Sequence, residues 1–366
     1  MNTIKNVILN VVKNLSGSAA FQRMVVLCSF LCLLASCEHR PLEDPHNKHF
    51  IRVYFDEHIK NVTYGFYDES RQETDYTTPK VLRYAFYNPL TGRQEYQGYL
   101  QSTGSDARGN YVEGYVPAID GEYNLLINKF DTRSTHLKNE YVYDDALVYT
   151  KPVSEHIMHS LSSVRGASDS DVPATDVILN EPDHYFVASE ESMLIRKTLA
   201  LDTLRNAEGD HFTARSVVKT YYLQINVKGA EYVASASGYL TGLAGSVYLA
   251  GQRLNEEDES SIYFQLKSNH TTKRSDVSQA YCTFNTFGKI PSADTRLVVV
   301  FEFKTKYGTT QVEKIELNDL FETDMVKIEQ WIIIDKVIEI TPDPNDTGGM
   351  QPSVGNWGQV EGDITI

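Results

Sequence analysis

The chain's most specific covalent chemistry lies at Leu34-Ala35-Ser36-Cys37. Small residues directly before a cysteine have the pattern of a lipobox. Bacterial signal peptidase would cleave between Ser36 and Cys37, and the new terminal cysteine would carry acyl chains. A thiol is needed there because the diacylglyceryl group is attached as a thioether. The surrounding elements agree with this. Lys5, Lys13 and Arg23 precede the apolar run Met24–Leu34, and no acidic residue occurs before Glu38, which is the charge order of a secretory leader. At roughly 1.5 Å per residue the run covers about half of a ~30 Å hydrocarbon core, too little to cross it. An ordinary secretory signal or a buried helix would share the apolar run but would have no use for the cysteine. Two or three acyl chains, each buried CH2 contributing about 0.8 kcal/mol, hold a protein on a membrane without a transmembrane helix.

No comparable constellation supports catalysis. There is no Gly-x-Ser-x-Gly elbow, no phosphate-cradling glycine loop and no His-Glu-x-x-His, so no catalytic residue is assigned. His156 and His159, three apart, could share a metal, but no cysteine or carboxylate follows at a tight spacing, and a solvated pair is the simpler reading. Asp169, Asp171 and Asp176 could hold calcium weakly or form a solvated acidic loop. Asp343–Gly348 starts like a calcium loop, yet Val354 occupies the twelfth position where a bidentate glutamate is required. Cys282 reads as a buried structural thiol rather than a nucleophile, because Ala280, Cys282 and Phe284 share a strand face. No metal and no cofactor are expected.

Composition narrows the partners. The chain has 366 residues and a formal charge of −15; Lys5, Lys13 and Arg23 leave with the leader, so the mature chain is still more acidic. That balance argues against nucleic acid and against direct adhesion to anionic lipid. Cys28 and Cys32 also leave with the leader and Cys37 is acylated, so Cys282 has no partner for a disulfide, and stability must come from burial. Apart from the leader, the longest apolar runs, Leu297–Phe301 and Trp331–Ile334, are strand-sized.

Nearly everything after Lys48 reads as β-structure. Ile51, Val53 and Phe55 alternate with Arg52, Tyr54 and Asp56, the period of a half-buried strand. Val81–Tyr87 and Glu95–Leu100 flank Asn88–Gly92 and predict a hairpin. Tyr111–Val116 and Tyr123–Phe130 flank a second turn-rich connection. Residues 132–182 are the least regular, with one short helix expected in Lys151–Arg165 behind Ser154 as cap. In the second half Tyr221, Leu223, Ile225 and Val227 share a face, as do Leu297, Val299, Phe301 and Phe303, and again Ile332, Ile334, Ile338 and Ile340. Gly238, Gly242 and Gly245 punctuate a small-residue stretch where close backbone approach is expected. The expected fold class is all-β: two antiparallel β-sandwich domains after a lipoprotein signal peptide. The expected divisions are a signal peptide (1–36), a lipidated tether (37–48), an N-terminal sandwich (49–182), a C-terminal sandwich (183–340), and a linker with a C-terminal strand or tail (341–366).

The tail is a candidate assembly element. Val354, Val360, Ile364 and Ile366 fall on even positions with Gly358 and Gly362, beyond the Pro/Gly/Asp linker Thr341–Met350. Such a strand can complete its own sheet or add to the open edge of a neighbouring chain.

The lipobox at Cys37, the short polar spacer, the paired β-rich halves, the run Ser237-Gly238-Tyr239-Leu240-Thr241-Gly242-Leu243-Ala244-Gly245-Ser246 and the tail motif Asn356-Trp357-Gly358 together resemble the fimbrillin-like lipoproteins of Bacteroidetes. The resemblance is in particular to a group with similar starts (CEHRPLEDPHNKH–IRVYFDE). The resemblance implies two transthyretin-like sandwiches and a role as stalk, anchor or tip subunit of surface fimbriae. It also implies outer-membrane anchoring through lipid on Cys37, facing the cell surface, with other fimbrial subunits as partners. A surface glycan-binding lipoprotein of a nutrient-uptake system is the alternative; two Trp in the whole chain weigh against it.

Overall fold

The computed structural model describes residues 48–56, 78–117, 120–161, 177–195, 209–269, 277–292 and 296–341. The strands of the first half are β1 (Lys48–Phe55), β2 (Leu82–Tyr87), β3 (Gln94–Leu100), β4 (Ser102–Asp106), β5 (Gly109–Pro117), β6 (Gly121–Lys129), β7 (Thr135–Lys138), β8 (Leu147–Thr150), β9 (Ile178–Leu179), β10 (Phe186–Ile195) and β11 (Asp210–Ser216). Helix α1 (Glu155–Ser160) lies between β8 and β9. The second half has β12 (Lys219–Lys228), β13 (Val233–Ala244), β14 (Ser246–Tyr248), β15 (Arg253–Leu254), β16 (Glu259–Gln265), β17 (Lys267–Asn269), β18 (Val277–Thr286), β19 (Val298–Thr305), β20 (Thr310–Glu316) and β21 (Trp331–Glu339). Helices α2 (Asn318–Phe321) and α3 (Asp324–Lys327) precede β21. The protein is all-β.

The first sandwich is one eight-stranded sheet in the order β3-β2-β6-β10-β11-β1-β5-β4. The two ends of this order, β3 and β4, are consecutive in the chain and joined through Gln101 alone. The sheet therefore curls until its ends approach, enclosing a core. Ile51, Val53 and Phe55 of β1 face Leu82, Tyr84 and Phe86 of β2 and Leu125 and Ile127 of β6, the face expected from alternation. The predicted hairpin joins β2 and β3. Asn88 builds its turn by accepting the Leu90 and Thr91 N–H groups on Oδ1, and Gly92 takes φ +67°. Tyr111–Val116 and Tyr123–Phe130 do not pair with each other: β5 joins β1 and β4, whereas β6 joins β2 and β10.

The second sandwich packs β17-β18-β12-β21 against β20-β19-β13-β16-β9. Its core holds the three apolar faces read from alternation between Tyr221 and Ile340, including Leu223, Ile225, Phe301, Phe303, Ile332 and Ile338. Each fully buried side chain of this kind contributes roughly 1.5–3 kcal/mol, and with Cys282 a free thiol burial is the main source of stability. Close approach explains Gly238, where a Cβ would sit 2.6 Å from the Val300 carbonyl oxygen. Gly242, at φ +75°, occupies the bulge between Leu240 and Leu243. Three pairings, β1–β11, β12–β21 and β16–β9, are parallel rather than antiparallel. Their partners lie far apart in sequence, so no tight turn fixes their direction.

A small third sheet, β15-β14-β8-β7, lies over the outer face of the first sandwich. Ala85, Tyr87, Leu126 and Val187 of the large sheet meet Val148 and Val247 of the small one, with Val218, Phe287 and Ile290 completing the core. The stretch 132–182, irregular as sequence, supplies β7 and β8 of this sheet. Ser154 caps α1 by accepting the Ile157 N–H, and Ile157 and Leu161 cover Tyr239, Val298 and Val300.

The chain does not divide cleanly at residue 182. β10 and β11, after it, complete the first sheet, and β9, before it, pairs with β16 of the second sandwich. Asn180–Asp183 works instead as a junction. The Asn180 amide donates to the Lys151 and Pro152 carbonyls, the Asp183 carboxylate accepts the N–H groups of Arg133, Ser134 and Thr135, and Glu181 accepts the Asn285 N–H.

Candidate functional site: the first strand and the sheet edges

Several residues singled out from sequence fall outside the described residues: Ser36 and Cys37, the tail residues Val354, Val360, Ile364 and Ile366, the Asp169, Asp171 and Asp176 loop, and the Asp343–Gly348 loop. His156 and His159 are exposed on α1. Among the described residues no group of three or more His, Cys, Asp or Glu side chains is placed to hold a metal ion. Cys282 is buried opposite Leu223 in the second core, where burial pushes its thiol well up. A thiol held protonated and away from water is a poor nucleophile.

The first described strand begins eleven residues after Cys37, so β1 is where a chain tethered at that cysteine would enter the fold. β1 is paired on both edges. It runs antiparallel to β5 from Lys48↔Pro117 to Tyr54↔Tyr111 and parallel to β11 from Ile51↔Asp210 to Phe55↔Ala214. While Ile51, Val53 and Phe55 fill the core, Arg52 and Tyr54 build a polar and aromatic network on the outer face. Arg52 Nε donates to Glu113 Oε2 at 2.7 Å, and the guanidinium carbon lies 4.2 Å from the Tyr111 ring centroid. The Tyr54 hydroxyl donates to Asp106 Oδ2 at 2.8 Å. The Arg108 main-chain N–H and then that hydroxyl hold the Asp106 carboxyl below the usual carboxylate range. At the entry of the strand His49 Nε2 meets Asp210 Oδ2 at 2.6 Å, and this bond lowers the Asp210 pKa despite partial burial. Sequence reading missed this network. Arg52 and Tyr54 register only as the polar half of an alternation until strand register sets them beside Glu113 and Tyr111.

On one side of the second sandwich the sheet edges, β20 and β21, are guarded. Gln311 of β20 donates from its amide to the Glu339 carbonyl of β21 at 3.0 Å, and Lys336 Nζ reaches Glu313 Oε2 at 3.3 Å. The edge strands of the two facing sheets are thus laced together along one side. β21 also bulges between Ile334 and Val337, which turns Asp335 and Lys336 outward. A bulge and charges on an edge discourage unplanned pairing. In the first sandwich, β4 presents a short, polar, largely exposed edge.

The chain is similar to other proteins over nearly its whole length. A protein of Bacteroides ovatus (strain ATCC 8483) named "Putative fimbrium anchoring subunit Fim4B" is 22% identical over 367 aligned residues, covering 91% of this chain and 95% of that one. Among solved structures, a "putative adhesin" from Bacteroides ovatus matches 84% of this chain and 99% of its own at 20% identity and a TM-score of 0.47. The fimbrial anchor protein Mfa2 from Porphyromonas gingivalis matches 74% and 82% at 11% identity and a TM-score of 0.38. The model of a family described as a domain of unknown function, DUF5119, matches residues 68–265, from ahead of β2 to the end of β16 and more than half of the chain; the chain belongs to the DUF5119 family.

Proposed function

We propose that this protein is a subunit of a surface fimbrium, tethered to the outer membrane by acyl chains on Cys37 and serving as the anchor of the filament. The observation that carries the reading is the end-to-end match to a relative named as a fimbrium anchoring subunit, which takes in both halves of this chain rather than one shared module. The lipobox supports the anchoring part, since it leads through a short polar spacer straight into β1. The role is structural and adhesive rather than enzymatic.

Residues 351–366 make the contact with the neighbouring subunit in this proposal. Their alternation suits a strand added to another chain's sheet, and the linker at Thr341–Met350 gives that strand reach. Deleting 351–366 should abolish incorporation into filaments while leaving the melting temperature unchanged. A truncated protein that unfolds, or one that assembles normally, would defeat the donated-strand reading.

The wider proposal is tested by purifying surface filaments from the native strain and from one lacking this chain. Immunogold labelling should find the protein at the membrane-proximal end, and the deletion strain should shed its filaments into the medium. Filaments of normal yield and attachment in the deletion strain would refute it.

A further inference from the structure

The outer face of the first sandwich carries a polar cleft with an aromatic lip. Tyr99 of β3, Arg83 of β2 and Asn128 of β6 form one cross-strand row, set by the pairs Arg83↔Tyr99 and Arg83↔Asn128. They lie on the side of the sheet opposite the core faces of Leu82 and Ile127, because side chains alternate along a strand. Residues 132–140 close the other side with His136 and Glu140, leaving a cavity of about 420 Å3, within the rough 300–1,000 Å3 range of small-molecule sites.

The floor is built and held. Arg83, only 4% exposed, donates to Glu140 Oε2 at 2.5 Å and to the side-chain oxygens of Gln97 and Gln94 at 2.5 and 3.2 Å. Asn128 donates to the Tyr185 hydroxyl at 2.7 Å, and the Tyr87 hydroxyl fixes the main chain of Glu140 at 2.7 Å. The Gln97 amide nitrogen, a donor, and Glu140 Oε1, an acceptor, take no part in these bonds. At the lip Tyr99 and Phe130 meet edge to face at 4.8 Å. They are nevertheless 48% and 53% exposed, an unusual state for two adjacent aromatic rings beside a cavity.

The geometry points to a saccharide-binding site at this cleft, one that takes a neutral sugar ring. A pyranose offers an apolar C–H face, which suits the Tyr99–Phe130 lip. Its rim of hydroxyls, each both donor and acceptor, suits the Gln97 amide and Glu140 carboxylate. Charge sets the neutral preference. The Arg83 guanidinium is already matched by Glu140, so it is not free to hold a sugar carboxylate or sulfate. Lys129 also lines the cleft, but it is paired with Leu82 and its side chain alternates to the other side of the sheet from Asn128. Burial together with Lys151 lowers the His136 pKa, leaving that ring uncharged at neutral pH. A peptide fits less well, since strand addition uses a sheet edge, whereas this cleft opens on the face formed by β3, β2 and β6. The site stands independently of the fimbrial reading and would make the subunit a lectin whatever it assembles with.

The test is binding of the full-length lipoprotein in detergent to a broad glycan array, followed by titration with maltotriose, cellotriose, xylotriose, mannotriose and chitotriose. Sialyllactose and trigalacturonic acid are the charged comparators. At least one neutral sugar should bind, and Tyr99→Ala and Phe130→Ala should each weaken it about tenfold with an unchanged melting temperature, since both rings are half exposed. Gln97→Ala should weaken it as well, whereas Tyr141→Ala, an exposed tyrosine outside the cleft, should not. Three results would overturn the proposal: no neutral saccharide retained, only charged saccharides retained, or binding that survives in the Tyr99→Ala/Phe130→Ala double variant.

Discussion

Arg52 and Glu113 face each other directly across the β1–β5 ladder, and their side chains close the pair with a 2.7 Å charge-assisted bond. Both side chains are mostly shielded, at 24% and 21% exposure, so the bond is worth more than a surface ion pair. Arg52→Ala also removes the stack on Tyr111 and should lower stability by about 1–2 kcal/mol. Glu113→Gln keeps an acceptor and should cost roughly half as much. Urea unfolding of the two variants checks the order; equal stability of Arg52→Ala and wild type would contradict it.

Asp183 gives a pH signature. Desolvation raises its pKa, but the N–H groups of Ser134, Thr135 and Arg133 outweigh that, and the folded value lies below the ordinary one. A group depressed in the folded state stabilises fully above its unfolded pKa, near 3.9, and loses that contribution as pH falls through the folded value. Asp183→Asn should therefore be less stable than wild type at pH 7, by about 1 kcal/mol. The deficit should shrink progressively below about pH 4. Melting temperatures of both proteins between pH 7 and 3 decide it, and a deficit that does not vary with pH would contradict the assignment.

Cys282 should react slowly with an uncharged maleimide until denaturant is added, because its thiol is buried in the second core and held protonated. Fast labelling of the native protein would show that this core opens.

Cys37→Ala should release the protein from the membrane fraction, and globomycin should cause precursor to accumulate. Membrane retention without precursor accumulation would remove the lipobox from consideration.

Gly238→Val tests the close approach of β13 and β19. The added carbons meet the Val300 carbonyl and the Phe264 ring, and overpacking of this kind costs about 1–3 kcal/mol. Thermal unfolding should show the loss, and a neutral result would mean that the strands can separate without cost.

The sequence is legible where one strand is long and one face is buried. Tyr221–Val227, Leu297–Phe303 and Ile332–Ile340 each span enough residues for alternation to stand out, and all three fill the second core. It is illegible where pairing is distant or strands are short. β7 and β8 have four residues each and β9 has two, too few for a period to show. Asn180-Glu181-Pro182 does lie between strands, in the break from β9 to β10, but turn-forming residues do not reveal whether the chain then leaves a domain or returns to it. Here it returns, through β10 and β11. Helices α2 and α3 show only as Leu317, Phe321 and Val326 at near-helical spacing, a signal shared by many loops. The candidate sites divide in the same way. Cys37 is local chemistry and readable, whereas the Arg83 cleft depends on three strands in register and could not be read from any one of them.

The position of β1 between two ladders has a mechanical consequence. Hydrogen bonds at a sheet edge, pulled sideways, open one after another like a zipper. A force applied at Lys48 along the strand instead meets the bonds to β5 and β11 together, so the load is shared as in a lap joint under shear. Because β1 is the first described strand after Cys37, tension between a membrane and whatever this protein holds would enter the fold at a strand braced on both edges.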